Sequence, residues 1–165
     1  MTLPASFPLS MQQVAAELGL SLPLSINHPW VIALAGKAAL PVSFSNLLGQ
    51  TGSFNGSVTF RMGSGVAFGN VTSITSVGSL FGAPISYLDN MGDTSGASAR
   101  INFSSPPNWS GKIVLTNQSA GATAVLTKQD SLTWFTGSGA AGTFPGGLLG
   151  AGGTTSATML IKPSN

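Results

Sequence analysis

The sequence predicts a mainly β protein, an antiparallel β-sandwich preceded by an N-terminal segment of short helical turns. Three observations predict it. From residue 51 onward, Ser, Thr and Gly alternate with apolar residues, and no convincing apolar stripe of helical period runs through them. Turn signals punctuate that region at Asp93-Thr94-Ser95-Gly96, Pro106-Pro107-Asn108, 117–121 and Gly137-Ser138-Gly139. Before it, one phrase recurs as Pro8-Leu9-Ser10-Met11, Pro23-Leu24-Ser25-Ile26 and Pro41-Val42-Ser43-Phe44. Each copy is followed by an apolar patch and then a glycine, Gly19, Gly36 or Gly49. The boundary falls at Gln50-Thr51-Gly52-Ser53, so residues 1–50 form a docking segment and residues 51–165 the sandwich domain.

In the first unit Ser10 is placed to cap a helix that begins at Met11. Gln13, three residues on, completes a capping box, and Leu9 can staple onto Val14. Met11, Val14, Ala15 and Leu18 follow the i, i+3, i+4, i+7 pattern, and Gly19 suits the C′ position. A helix of two turns is unstable unless it packs on something. The second unit offers Ile26, Trp30, Ala33 and Leu34 on one face. Pro29 disfavours helical geometry at His28, so this helix starts at Pro29 with Asn27 or His28 as its cap. The third unit offers Phe44, Leu47 and Leu48 before Gly49.

After the boundary, Val58, Phe60 and Met62 alternate with Thr59 and Arg61, as a half-buried strand requires. Further strands are predicted at 66–74, 85–88, 99–103, 112–116, 123–128, 132–136 and 156–162. Seven or eight short strands with such punctuation suit a sandwich of roughly one hundred residues. Between the last two lies the glycine-rich stretch 142–153, with Leu148 and Leu149. It reads as an apolar contact loop for a partner or a membrane, or more simply as a glycine loop whose leucines pack on the sandwich.

Charged residues make up 6% of the 165-residue chain, while 42% is hydrophobic. About a quarter charged is ordinary for a globular protein. So uncharged polar residues cover the outside, and part of it is buried against other subunits. The net charge of +2 comes from Lys37, Arg61, Arg100, Lys112, Lys128 and Lys162 against Glu17, Asp89, Asp93 and Asp130. No two bases are adjacent and no basic stripe interleaves with aromatics, so nucleic acid is not an expected partner. There is no cysteine, which excludes disulfides and thiolate metal sites. Met1-Thr2-Leu3-Pro4 lacks a basic leader, and the apolar run 30–42 is interrupted by Gly36, Lys37 and Pro41. The expectation is synthesis in the cytosol without a membrane anchor.

Residues able to do chemistry are few. His28 is the only histidine and has no carboxylate near it in sequence, so a capping role is expected of it. Four acids give little basis for a paired-carboxylate hydrolase. The stretch 89–96 is oxygen-rich, but it lacks the spacing and terminal Glu of a calcium loop, and a turn between strands is the simpler reading. No catalytic residue, metal or cofactor is expected. Trp109 and Trp134, in or beside strands, are candidate ligand-binding residues, with core packing as the commoner fate of such side chains. Arg61 and Arg100 are expected on the solvent face of a sheet or at a subunit contact.

The opening Met1-Thr2-Leu3-Pro4-Ala5-Ser6, followed by residues 8–19, resembles the N-terminus of structural proteins from tailed bacteriophages. The resemblance continues through Leu24-Ser25-Ile26 to Ala33-Leu34-Ala35-Gly36-Lys37, and then through residues 41–49. It covers about the first third of the chain. The chain departs from the pattern at Asn27-His28-Pro29-Trp30 and at Gly49-Gln50-Thr51. The resemblance implies a virion component, in the baseplate, tail tip or fibre. By that reading Met11, Val14, Leu18, Ile26, Trp30, Leu34, Phe44 and Leu47 dock onto a neighbouring virion protein, and the assembly is a homo-oligomer, a trimer by analogy with fibres. A receptor- or glycan-binding module and a capsid decoration protein are the alternatives, and a host-surface receptor is the further partner the first of these requires.

Overall fold

The computed structural model describes residues 2–60, 78–93, 96–137 and 155–165. The three phrases become three short helices, α1 (Met11–Leu18), α2 (Pro29–Leu34) and α3 (Phe44–Leu47). At α1 the capping box forms as the sequence predicts. Gln13 N–H donates to Ser10 Oγ at 3.3 Å, and Ser10 N–H donates to Gln13 Oε1 at 2.8 Å. His28 caps α2, its Nδ1 accepting the Trp30 N–H at 3.2 Å, with Pro29 in the first turn. At α3 the Ser43 N–H donates to Asn46 Oδ1 at 3.0 Å. The peptides Phe7-Pro8, Leu22-Pro23 and Leu40-Pro41 are all cis.

The closing glycines, Gly19, Gly36 and Gly49, have φ of +67°, +69° and +70°, the left-handed conformation in which a Cβ is penalised. In the first two units the chain then turns back identically. Leu20 N–H donates to the Ala15 carbonyl at 2.8 Å, and Lys37 N–H donates to the Ile32 carbonyl at 3.1 Å. The third unit differs, because Gly49 N–H donates to the Pro4 carbonyl at 2.8 Å and Leu3 N–H to the Gln50 carbonyl at 2.9 Å. The exit of the segment is thereby paired with its entrance.

Among the described residues eight strands follow: β1 (Phe54–Phe60), β2 (Ser79–Leu80), β3 (Ala83–Asp93), β4 (Gly96–Phe103), β5 (Lys112–Asn117), β6 (Ala122–Lys128), β7 (Thr133–Phe135) and β8 (Thr155–Ser164). All pair antiparallel in the single order β1-β8-β5-β6-β7-β4-β3-β2. The predicted β-class and antiparallel pairing are therefore present, but the sheet is barrel-like and nearly closed rather than two sheets packed face to face. The joint is β7. It pairs with β6 through Thr127–Phe135 and Lys128–Trp134, and with β4 through Arg100–Phe135, Ile101–Trp134 and Asn102–Thr133. Alternation and turn residues mark out strands but leave their partners open, and a three-residue strand is enough to merge two sheets into one.

The predicted strand at 58–62 starts earlier, at Phe54, and those at 85–88 and 99–103 lengthen into a β3–β4 hairpin. The predicted strand at 66–74, the stretch 142–153 and Arg61 lie outside the described residues. In β3 the register shifts between Ile85 and Tyr87. That bulge changes the parity of the strand, so Ala83, Ile85 and Leu88 all face inward and are buried. Trp134 fills the interior, fully buried, with its ring edge-on to Phe103 at 5.3 Å and its Nε1–H donating to the Gly111 carbonyl at 2.8 Å.

The helical segment caps the end of the barrel where β1 begins and β8 ends. Leu18 and Leu34 close over Gly52, where a Cβ would lie 3.0 Å from one and 3.2 Å from the other. Asn108 Nδ2–H groups reach the Ala33 and Lys37 carbonyls at 2.8 and 3.2 Å. One buried cluster runs from Leu3, Val14, Leu18, Val31, Leu34 and Leu47 into the barrel core. Val14, Leu18, Leu34 and Leu47, expected on a face turned to a partner, are thus 0–1% exposed inside their own chain. The reason is local. Helices of eight, six and four residues cannot stand alone, and the barrel end is the nearest apolar surface. Each such side chain contributes about 1.5–3 kcal/mol of burial.

Leu34→Ala should therefore cost about 2–5 kcal/mol. In urea titrations, tryptophan fluorescence and far-UV circular dichroism should shift together to a lower midpoint, because cap and barrel share one core. An unshifted midpoint would refute that sharing.

Candidate functional site

A cleft of about 530 Å³ opens where the cap meets the barrel, between α2 with its following turn, the 107–111 loop and the ends of β6 and β8. Its aromatic wall is built from far-apart pieces of chain. Trp109 is 6% exposed and donates its Nε1–H to the Lys112 carbonyl at 3.0 Å. Phe81 stacks on it, with ring centroids at 4.7 Å and 18° between planes, and Trp30 meets it edge-on at 5.1 Å. Trp30 in turn touches the His28 ring at 6.0 Å, so the capping histidine also braces the wall. Gly111 allows the close approach, since a Cβ there would lie 2.5 Å from Trp109 Cζ2.

Phe81 holds this arrangement from an unusual backbone position. It and Gly82 form the two-residue turn between β2 and β3, with φ of +48° and +81°. Tight hairpin turns of this kind need positive φ, which for a bulky residue costs on the order of 1–3 kcal/mol. The surroundings fix it there. Phe81 N–H donates to the Thr51 carbonyl at 2.8 Å, and its own carbonyl accepts from Asn108 N–H at 3.0 Å.

Two ammonium groups complete the cleft, those of the exposed Lys37 and Lys128. Lys128 Nζ lies 5.2 Å from the centre of the Trp134 ring, a cation–π contact that orients it. Neither lysine was singled out by sequence, because nothing in 1–165 marks two isolated bases as neighbours.

The predicted site residues separate into two groups. Trp30 and Trp109 line the cleft, whereas Trp134, a candidate for ligand stacking, is sealed in the barrel core with no exposed ring face. Met11, Ile26 and Phe44 are half-buried, the first two packed against the core cluster. Arg100 lies partly buried with its guanidinium 5.4 Å from the Tyr87 ring centre. Asp89 to Asp93 pair along the β3–β4 ladder, so that stretch is strand and not a loop wrapped for an ion. The side chains of 89–97 lie outside the described residues, and among those described no three metal-ligating side chains converge. No described helix is long and apolar enough to cross a membrane.

Glu17 is the one acid of the cap, and it is 1% exposed. Its Oε1 accepts from Gly52 N–H at 2.7 Å, Ser53 N–H at 2.8 Å and Ser53 Oγ at 3.4 Å, latching α1 to the entrance of β1. Burial pushes its carboxyl above the usual 4.5, and the hydrogen bonds from Ser53 and Gly52 pull it partly back.

No family model, no curated protein and no solved structure matches the chain.

Glu17→Ala should destabilise the fold by about 1–3 kcal/mol, because it strands buried N–H groups. Glu17→Gln keeps an acceptor and should cost less. A raised folded value means the folded state holds the proton longer than the unfolded chain, so the contribution is full below the usual 4.5 and is lost as the pH rises through the raised value. Unfolding free energies from pH 4 to 8 should thus fall more steeply for the natural protein than for Glu17→Gln; parallel profiles would contradict this. Separately, Gly111→Ala should lower stability by about 1–3 kcal/mol by displacing the Trp109 ring, measured by thermal melting.

Proposed function

We propose that the chain is a non-enzymatic structural protein of a tailed-phage virion, a component of the baseplate, tail tip or fibre held to a neighbouring protein through its N-terminal cap. One observation carries the reading. Each of the three units exposes an apolar residue directly before its proline: Phe7 at 60%, Leu22 at 54% and Leu40 at 50%. They are three of the four large hydrophobic side chains exposed among the described residues. The inner stripes of the units are taken up by the barrel, so this repeated outer set is what remains for a neighbour. The cap around it carries almost no charge, with Glu17 buried and Lys37 its one base. The resemblance of residues 1–49 to phage structural proteins supports the same reading, and a symmetric homo-oligomer, a trimer in a fibre-like appendage, belongs to it. A capsid decoration role differs only in where on the particle the cap attaches.

Removing residues 1–50 is a poor test, because the cap shares its core with the barrel. The triple variant Phe7→Ser, Leu22→Ser, Leu40→Ser leaves that core intact. It should melt within a few degrees of the natural protein yet fall at least tenfold in copy number in purified particles, counted by quantitative mass spectrometry. Undiminished incorporation would overturn the attachment role.

A further inference from the structure

We propose that the cleft between cap and barrel binds a short acidic saccharide, a sugar chain carrying carboxylates. This stands apart from the virion reading, and either can fail alone. The cleft volume of about 530 Å³ falls within the size range of small-ligand sites. Its half-buried Trp30, with Pro29 and Pro107 beside it, offers an apolar wall of the kind that packs on the C–H face of a pyranose ring. Lys37 and Lys128 bring two of the chain's six bases to one opening, and among the described residues no Asp or Glu side chain lines it, Ser164 and Asn165 completing the rim. The Leu132 N–H, at 2.8 Å, is the chief cause that holds the Asp130 carboxyl below its usual range, with Lys128 a lesser one, and this carboxylate does not line the cleft.

The polar groups between the lysines suit hydroxyls. The Asn108 amide directs its Nδ2 at the Ala33 and Lys37 carbonyls, which aims the group and turns Oδ1 to accept from a sugar hydroxyl. Ser110 places a hydroxyl in the same lining. Among the described residues no arginine lines the cleft, so forked, bidentate recognition is absent, and each ammonium serves a carboxylate as a point charge. Lys128 is already held in place by the Trp134 ring, and Lys37 sits on the turn that Asn108 fastens to the barrel. The charges therefore belong to a fixed frame rather than to loose surface side chains.

The experiment is isothermal titration of the full chain with trigalacturonate and its fully methyl-esterified form, which share one backbone and differ in charge. Sialyllactose and lactose form a second pair. At least one acidic probe should bind, and at least tenfold more tightly than its neutral counterpart. Lys37→Gln with Lys128→Gln should weaken it at least tenfold while the melting temperature falls by no more than a few degrees, from the loss of the Lys128–Trp134 contact. Trp30→Phe should weaken both members of the pair. Equal affinity for acidic and neutral partners overturns the proposal, as does unaltered binding by the double lysine variant. Absence of heat and of tryptophan quenching at millimolar acidic probe overturns it too. Tighter binding of an oligodeoxythymidylate than of either acidic sugar would assign the cleft to nucleic acid instead.

Discussion

The fold depends on one residue, Phe81, at the point where four pieces of chain meet. Its N–H ties the edge strand β2 to the entrance of the opposite edge strand β1, at Thr51. Its carbonyl holds Asn108, whose side chain then grips the carbonyls at the end of α2 and beyond it. Its ring supports Trp109, which supports Trp30 of the cap. A positive φ at an aromatic residue is tolerated because three independent contacts demand it. Barrel closure, cap placement and the wall of the cleft are consequences of the same turn.

The low charge of the chain becomes intelligible in this arrangement. A barrel whose inner face is filled by Trp134, Phe103, Leu115, Leu126, Met159 and Ile161 needs only short polar side chains outside, and Ser and Thr provide them. The cap plugs the end that side chains alone would leave open. Its one acid is turned inward and satisfied by backbone donors, so the outer surface of the cap is governed by shape and apolar contact. Two of the chain's six bases, Lys37 and Lys128, meet at a single opening.

Local features were the legible ones. The Ser10 capping box, the His28 cap before Pro29 and the left-handed Gly19, Gly36 and Gly49 all follow from interactions within a few residues, which sequence spacing records directly. The longer described strands were legible for the same reason, whereas the two-residue β2 is too short to show alternation. Pairing was not, because β7 joins β6 to β4 through a handful of hydrogen bonds that no periodicity announces. The target of the apolar stripes was equally hidden, since Leu18 and Leu34 look the same in sequence whether they meet another protein or Gly52. The exposed Phe7, Leu22 and Leu40 did leave a signal, as an apolar residue one position ahead of each repeated phrase. Lys37 and Lys128 left none.

The cap also gives the barrel a direction. At the covered end, β1, β3 and β5 begin and β4, β6 and β8 finish, and the β2–β3 turn and the β4–β5 connection there are tied to each other through Phe81 and Asn108. At the far end, the connection of β5 to β6 through Gly121 is held among the described residues by its own hairpin and by Thr158 of the adjoining β8. Chain added or exchanged at that end leaves the Phe81 junction untouched. Disturbance at the β5–β6 turn and disturbance at Phe81 are thus separable, the first confined to its own corner and the second felt by cap, wall and edge strands together.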